Sequence, residues 1–275
     1  MAYPVISAPY GFKALNLIGS QVFAGGTRQY TIQNNYNTNI FFGDFVTVTN
    51  GLVTLAQVTS STSGKQTIGV FAGCSFTNPV TKQKTFSQYY PANTAAGDIQ
   101  AFIVEDPDTV FKAAMVTANG GSVLASASQA IVGLNLAGSD LAGNATTGDS
   151  LNGLVAPTAT PSTGLPFRVL ALVPDTATAV SATGGNASTP GTTITLTGTG
   201  LPAAIPQGAD VAYLLNGQLV QTGAFVANSG GYSTGTTSIT TDKNVSIPTG
   251  STVVFTSYPE VLVKINFGIH NYYAA

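Results

Sequence analysis

The chain has 275 residues and a formal net charge of −2, and only 7% of its residues are charged, against about 25% in ordinary soluble proteins. Nine Lys plus Arg give no electrostatic footprint for DNA, RNA or an anionic membrane, and a chain with 44% apolar residues is too greasy and too neutral for intrinsic disorder. Its polarity rests on Ser, Thr, Asn, Gln and Gly, neutral groups that press against a partner without stranding a buried charge.

Residues 1–30 read as an extended N-terminal arm. Pro4 and Pro9, then Gly11, Gly19, Gly25 and Gly26, break any helical period. Large apolar residues nevertheless recur: Ile18, and the nine residues Tyr3, Val5, Ile6, Tyr10, Phe12, Leu15, Leu17, Val22 and Phe23. The arm is expected either to pack on its own domain or to grip a neighbouring chain, by strand addition or by filling a groove. These nine residues are the candidate contacts. The opening Met1-Ala2-Tyr3-Pro4-Val5 has no basic region or apolar run of the signal-peptide kind. No stretch approaches the roughly 20 apolar residues of a spanning helix, so synthesis in the cytosol is expected.

From Asn39 the pattern becomes that of strands. Phe45-Val46-Thr47-Val48-Thr49 alternates, Asn50-Gly51 suits a type I′ turn, and Leu52-Val53-Thr54-Leu55 returns. Ile68 to Phe76 is a strand whose glycines point to close backbone approach or a bulge. Thr81 to Pro91 reads as an exposed loop. Ile99 to Val104 and Val110 to Val116 look like strands paired with one another around Glu105-Asp106-Pro107-Asp108. Residues 117–164 are rich in Ala, Gly, Ser, Asn and Thr, with one short element near 129–136, and predict long loops. Phe167 to Val173 is a strand.

A Thr/Ala/Gly/Ser linker then leads to a second β unit with an Asn216-Gly217 hairpin. An internal echo appears there. Ile205-Pro206-Gln207-Gly208-Ala209-Asp210-Val211-Ala212-Tyr213 resembles Ile247-Pro248-Thr249-Gly250-Ser251-Thr252-Val253-Val254-Phe255, with Thr192-Thr193 and Thr236-Thr237 ahead of them. A sandwich with two similar halves explains it. The last strand, Val261 to Phe267, resembles Phe167–Val173; if the two pair, residues 178–256 are an insertion, which loop-closure entropy makes inexpensive.

Chemistry-bearing residues are scarce. One cysteine, Cys74, excludes an internal disulfide framework and any Cys-based zinc site, and reads as a small buried apolar residue. The one histidine, His270, reads as a partly exposed residue after the closing strand. Glu105-Asp106-Pro107-Asp108 is the only acidic cluster; a Ca²⁺ site is set against the ordinary turn use of Asp and Pro, and the turn is preferred. There is no Gly-rich phosphate loop with its Lys and no Gly-x-Ser-x-Gly elbow. No catalytic residue, metal or cofactor is assigned, and the chain is not expected to be an enzyme.

Three blocks resemble the head decoration (cement, or auxiliary capsid) proteins of tailed bacteriophages. They are Asn39-Ile40-Phe41-Phe42-Gly43-Asp44-Phe45-Val46, then Ile68-Gly69-Val70-Phe71-Ala72-Gly73-Cys74 with Thr81-Lys82-Gln83-Lys84-Thr85-Phe86-Ser87-Gln88-Tyr89-Tyr90, and Val261-Leu262-Val263-Lys264-Ile265-Asn266-Phe267 with His270. The likeness covers about residues 1–175 and 257–275. It implies a β-rich virion protein, often a homotrimer, made in the host cytoplasm and seated on the outer capsid surface with the major capsid protein as partner.

The expectation is therefore an all-β protein: the arm 1–30, a main β-barrel or sandwich domain of residues 31–177 plus 257–275, and an inserted small β-sandwich, 178–256. Its role is to bind the capsid and cement neighbouring subunits, with no nucleic acid or membrane as partner. The alternative is a receptor- or glycan-binding tail or fibre component, with Tyr213, Phe225, Tyr232, Phe255 and Tyr258 as sugar-stacking faces. A surface-layer or pilus-like subunit is a third reading, against which the missing signal sequence weighs.

Overall fold

A computed structural model describes residues 6, 8–19, 21–59, 67–116, 127, 129–157, 164–176, 180–186, 190–205, 207–215, 218–255, 258–266 and 269–270. The protein is nearly all-β. It divides into two units: Pro9–Gly121, Gln129–Ala171 and Val261–Ala275 form the larger, and Leu172–Glu260, with Met1–Ala8 and Ser122–Ser128, the smaller.

In the larger unit the strands are β1 (Lys13–Leu17), β2 (Arg28–Thr31), β3 (Phe45–Thr49), β4 (Leu52–Leu55), β5 (Gly69–Thr77), β6 (Lys84–Ser87), β7 (Gln100–Val104), β8 (Thr109–Val116), β9 (Asn135–Leu136), β10 (Leu154–Val155) and β11 (Phe167–Leu172). Strands β2, β7, β5, β3 and β4 lie side by side in that order, and β6 joins β5 where β3 has ended. A bridge from Ile32, just past β2, to Val53 of β4 nearly closes the ring into a barrel. Its interior is filled by Val46, Val53, Phe71, Tyr90, Ala101 and Ile103 among others, as expected of a barrel too narrow for a channel.

Local backbone demands explain how this sheet curves. Asn50 and Gly51 take φ of 52° and 80°, the two positive angles that a tight hairpin needs to match strand twist. The register of β5 on β7 slips between Phe71 and Cys74. Gly73, at φ 126°, lies inside that bulge. At Gly69 an added Cβ would stand 2.1 Å from the Val104 carbonyl oxygen, so only glycine lets these two backbones approach.

A second sheet runs β1, β8, β18 (Glu260–Ile265), β11, β9, with β10 parallel to β8. Phe45 of β3 leaves the barrel wall on its outer side and packs against this sheet. Its ring centroid lies 4.4 Å from Phe12 and from Phe167, and 6.2 Å from Phe111. Phe45 and Val46 are consecutive and both buried, because one faces the second sheet and the other the barrel interior. Strands β11 and β18 are hydrogen-bonded neighbours, and the strands of the smaller unit lie in the chain between them.

Three expectations are corrected. Residues 99–104 and 110–116 form strands that do not pair with each other: β7 belongs to the barrel, β8 to the second sheet. The turn at 105–108 is a crossing between sheets, which local apolar pattern cannot distinguish from a hairpin. Thr81 to Pro91 is not all loop, since Lys84–Ser87 forms β6 on β5. The arm 1–30 is not a segment apart: from Pro9 on it belongs to the larger unit, with β1 paired to β8 and β2 to β7, in line with the first of the two alternatives, packing on its own domain.

The smaller unit holds β12 (Val180–Gly185), β13 (Gly191–Leu196), β14 (Asp210–Leu215), β15 (Gln218–Phe225), β16 (Ser238–Val245) and β17 (Ser251–Phe255). They form one sheet ordered β15-β14-β17-β12-β13-β16. The Val226–Thr241 bridge brings its two edges together around an apolar core. The sequence echo has a geometric meaning here. In the β14–β17 pair Val211 faces Phe255 and Tyr213 faces Val253, symmetrically about Ala212–Val254. In the β13–β16 pair the same symmetry centres on Ile194–Ile239. Exchanging β12-β13-β14 for β15-β16-β17 sends four of the five neighbour pairs onto neighbour pairs and the fifth, β12–β13, onto β15–β16, the edges joined by the Val226–Thr241 bridge, so the unit is a doubled three-stranded element with an internal two-fold. Asn216-Gly217 lies outside the described residues.

Candidate functional site

Of the nine arm residues, Tyr3 and Val5 lie outside the described residues. Phe12 points inward. It is 1% exposed, with its ring stacked 4.8 Å from Phe167, so it is core and has no surface to offer a partner. The reason is backbone geometry: Gly11, at φ 76°, and Gly43, at φ 92°, meet where a Cβ on Gly11 would lie 2.8 Å from the Gly43 oxygen. The Phe12 amide donates to that oxygen, which turns the ring under β3.

Ile6 and Tyr10 are half-buried, and the Lys13 ammonium sits 4.8 Å from the Tyr10 ring centre. The outward-facing set is Leu15 at 51% exposure, Ile18 at 44% and Val22 at 83%. They sit on β1, an edge strand, and on the reversal after it, where the Leu17 amide donates to the Gln21 carbonyl. Ile18 belongs with this set although the choice of arm contacts from sequence passed over it.

Beside this reversal lies a groove of about 420 Å³. Leu17, Val22 and Phe23 form an apolar wall; Arg28, Glu105 and Asp106 form the opposite rim. Glu105 accepts from Arg28 at 3.3 Å and from the Tyr30 hydroxyl. Asp106 accepts the Asp108 amide at 2.8 Å, and Asp108 meets Lys264 at 3.5 Å. The three carboxylates of the acidic cluster therefore point to three different partners, and no group of metal-ligating side chains occurs among the described residues. His270 lies behind the groove. It is buried, contrary to the expectation of partial exposure, with Nε2 2.9 Å from the Glu105 carbonyl oxygen. Burial holds its pKa below the usual value, against the pull of the neighbouring carbonyls and carboxylates.

A second polar knot lies deeper. Asp44, 3% exposed, accepts from the Phe41 amide at 2.8 Å and from Asn152 Nδ2 at 2.9 Å. Asn152 in turn accepts the Leu141 amide, and its own amide donates to Ser150 Oγ. Burial raises the Asp44 carboxyl above its ordinary value; hydrogen bonds from Ser150, Phe41 and Asn152 work the other way. These groups fasten the 140–153 segment to the barrel. Cys74 is buried with its thiol pushed up to about 12, which keeps it in the inert thiol form.

The aromatics considered as sugar platforms belong to the packing of the smaller unit. Phe255 and Tyr258 are buried. Tyr213 and Tyr232 pack on its core, the Tyr232 hydroxyl accepting the Thr240 amide at 2.8 Å, and Phe225 is half-buried.

Compared with known proteins, the chain matches no family model, no curated protein and no solved structure. What the fold defines is a class: an all-β protein.

Proposed function

We propose that this is a structural protein of a bacteriophage virion that binds the outer surface of the capsid, cements neighbouring major capsid protein subunits, and self-associates as a homotrimer. The observation that supports it is the exposure of Leu15 and Ile18, two large apolar residues, along one edge strand and the reversal after it. A chain with 7% charged residues attaches through apolar area, at about 25 cal/mol per Å² removed from water, most of it offset by lost freedom. Symmetric engagement of several subunits then holds the layer through effective concentration. Because screening acts on charges, such attachment is insensitive to salt.

The test is densitometry of purified particles carrying the wild type or the Leu15→Ser/Ile18→Ser variant. Hundreds of copies per particle, retained in high salt and lost in the variant, is the expected result. A handful of copies points to a fibre component, and absence from particles rejects the reading.

A further inference from the structure

We propose that the tip of the β5–β6 hairpin of one copy docks into the groove beside Leu17, Val22 and Phe23 of a second copy, a head-to-tail contact between larger units. The inference rests on the self-association in the reading above and names its surfaces.

The tip is built to be inserted. Val80, in the turn, is 85% exposed, while Phe86, on β6, is 74% exposed with its ring stacked 6.5 Å from Phe102. Asn78 Oδ1 accepts the Val80 and Thr81 amides at 2.9 and 3.1 Å, and the Lys82 amide returns to the Asn78 carbonyl at 2.9 Å. At the base, Asp98 accepts from the Thr77 amide, the Thr77 hydroxyl and Lys84 Nζ at 2.9, 2.7 and 3.0 Å. A knob held this way loses little freedom on binding.

Charge is complementary. On the hairpin Asp98 neutralises Lys84, while Lys82 is exposed and meets no carboxylate among the described residues, leaving one net positive charge. On the groove rim Arg28 neutralises Glu105, and Asp106 leaves one net negative charge. Val80 against Val22 and Phe23, with Lys82 toward Asp106, satisfies both surfaces. A groove of about 420 Å³ falls within the roughly 300–1,000 Å³ usual for binding pockets.

The hairpin tip cannot reach the groove of its own chain, so a tip seated there comes from a second copy. Strand β5 is antiparallel to β7: Val70 pairs with Val104, next to Glu105 and the groove, whereas Ser75 pairs with Gln100 at the end from which the tip projects. The five residue steps from Val70 to Ser75, at about 3.3 Å each, and the further reach of the turn separate the two features, so no chain fills its own groove. Contacts between unlike surfaces propagate head to tail and close into a ring when the rotation permits.

The experiment uses the full chain without capsids. Val80→Cys protein mixed with Val22→Cys protein is expected to form disulfide-linked dimers that neither forms alone; Cys74 is buried and does not compete. By sedimentation, Val80→Glu and Val22→Glu are each expected to raise the dissociation constant at least tenfold with unchanged melting temperature. Lys82→Asn, which suits the φ of 59° at this position, is expected to flatten the salt dependence of association. A monomer at the highest soluble concentration, Val80→Cys protein that crosslinks to itself, or an oligomer indifferent to Val80→Glu overturns the proposal. Capsid occupancy of the Leu15→Ser/Ile18→Ser variant is scored separately, so either idea can fail without the other.

Discussion

Replacing Phe12 by alanine separates two roles that the arm could have, a grip on a partner or a part of its own core. The Phe12 ring is 1% exposed and lies 4.4 Å from Phe45 and 4.8 Å from Phe167, so its removal empties a site walled by two sheets. Buried Phe→Ala changes cost about 3–5 kcal/mol, through lost transfer energy and the cavity left behind. With a urea slope of about 2 kcal/mol per M, the midpoint of the larger unit is expected to fall by about 2 M. Thermal melting is expected to fall by roughly 10 °C for a unit of this size. The assay is equilibrium unfolding of the isolated chain followed by tyrosine fluorescence, with Val22→Ala as the control. Val22 is 83% exposed, and its truncation is expected to stay within about 0.5 kcal/mol of wild type. If Phe12→Ala unfolds at the wild-type urea concentration, the ring is not the joint between barrel and second sheet, and the reasoning fails.

Gly69→Ala, whose Cβ would stand 2.1 Å from the Val104 carbonyl oxygen, is expected to destabilise by about 3 kcal/mol or more, at the upper end of overpacking costs, read by the same unfolding curves. The Asp44 carboxyl is raised in the folded state, so its contribution is fully present below the unfolded value and is lost as pH rises through the folded one. Stability measured upward from pH 4 is expected to show that decline in wild type and to lose it in Asp44→Asn. That variant also sets an amide donor against Asn152 Nδ2, at about 1–3 kcal/mol. Replacing residues 174–259 by a short turn is expected to leave the larger unit folded, because the Val173 amide already donates to the Glu260 carbonyl at 3.0 Å; loss of the cooperative transition of the larger unit would refute this.

Much of the strand content is legible because its causes are local. Val46 and Val48 alternating with Thr47 and Thr49, followed by Asn50-Gly51, leave the backbone one economical solution, the β3–β4 hairpin. Gly73 in the bulge of β5 is legible for the same reason, since the need for positive φ is a property of one residue. The echo at 205–213 and 247–255 is visible as text, but its meaning is not. That the two segments become adjacent strands β14 and β17, related by a two-fold, depends on how the sheet curls. The candidate surface is legible only in part. Leu15 and Val22 stand out in the sequence as apolar residues of an irregular segment, and by the same criterion so does Phe12, which is buried. Composition cannot tell an inward from an outward side chain where neither helix nor strand period holds.

The amino-acid sequence by itself determined an all-β chain, several of its hairpins and turns, and the scarcity of charge, because alternation, positive-φ turn residues and residue counts act over a few positions or none. Only the tertiary structure decided that β7 and β8 part company into different sheets, that Phe12 and His270 go inside, and that Leu17, residues 22–24 and 26–28, and Glu105 and Asp106 meet around one groove. Those outcomes follow from which arrangement of the whole chain buries most apolar area with every backbone group paired, and a short apolar run carries no mark of the strand it will lie beside.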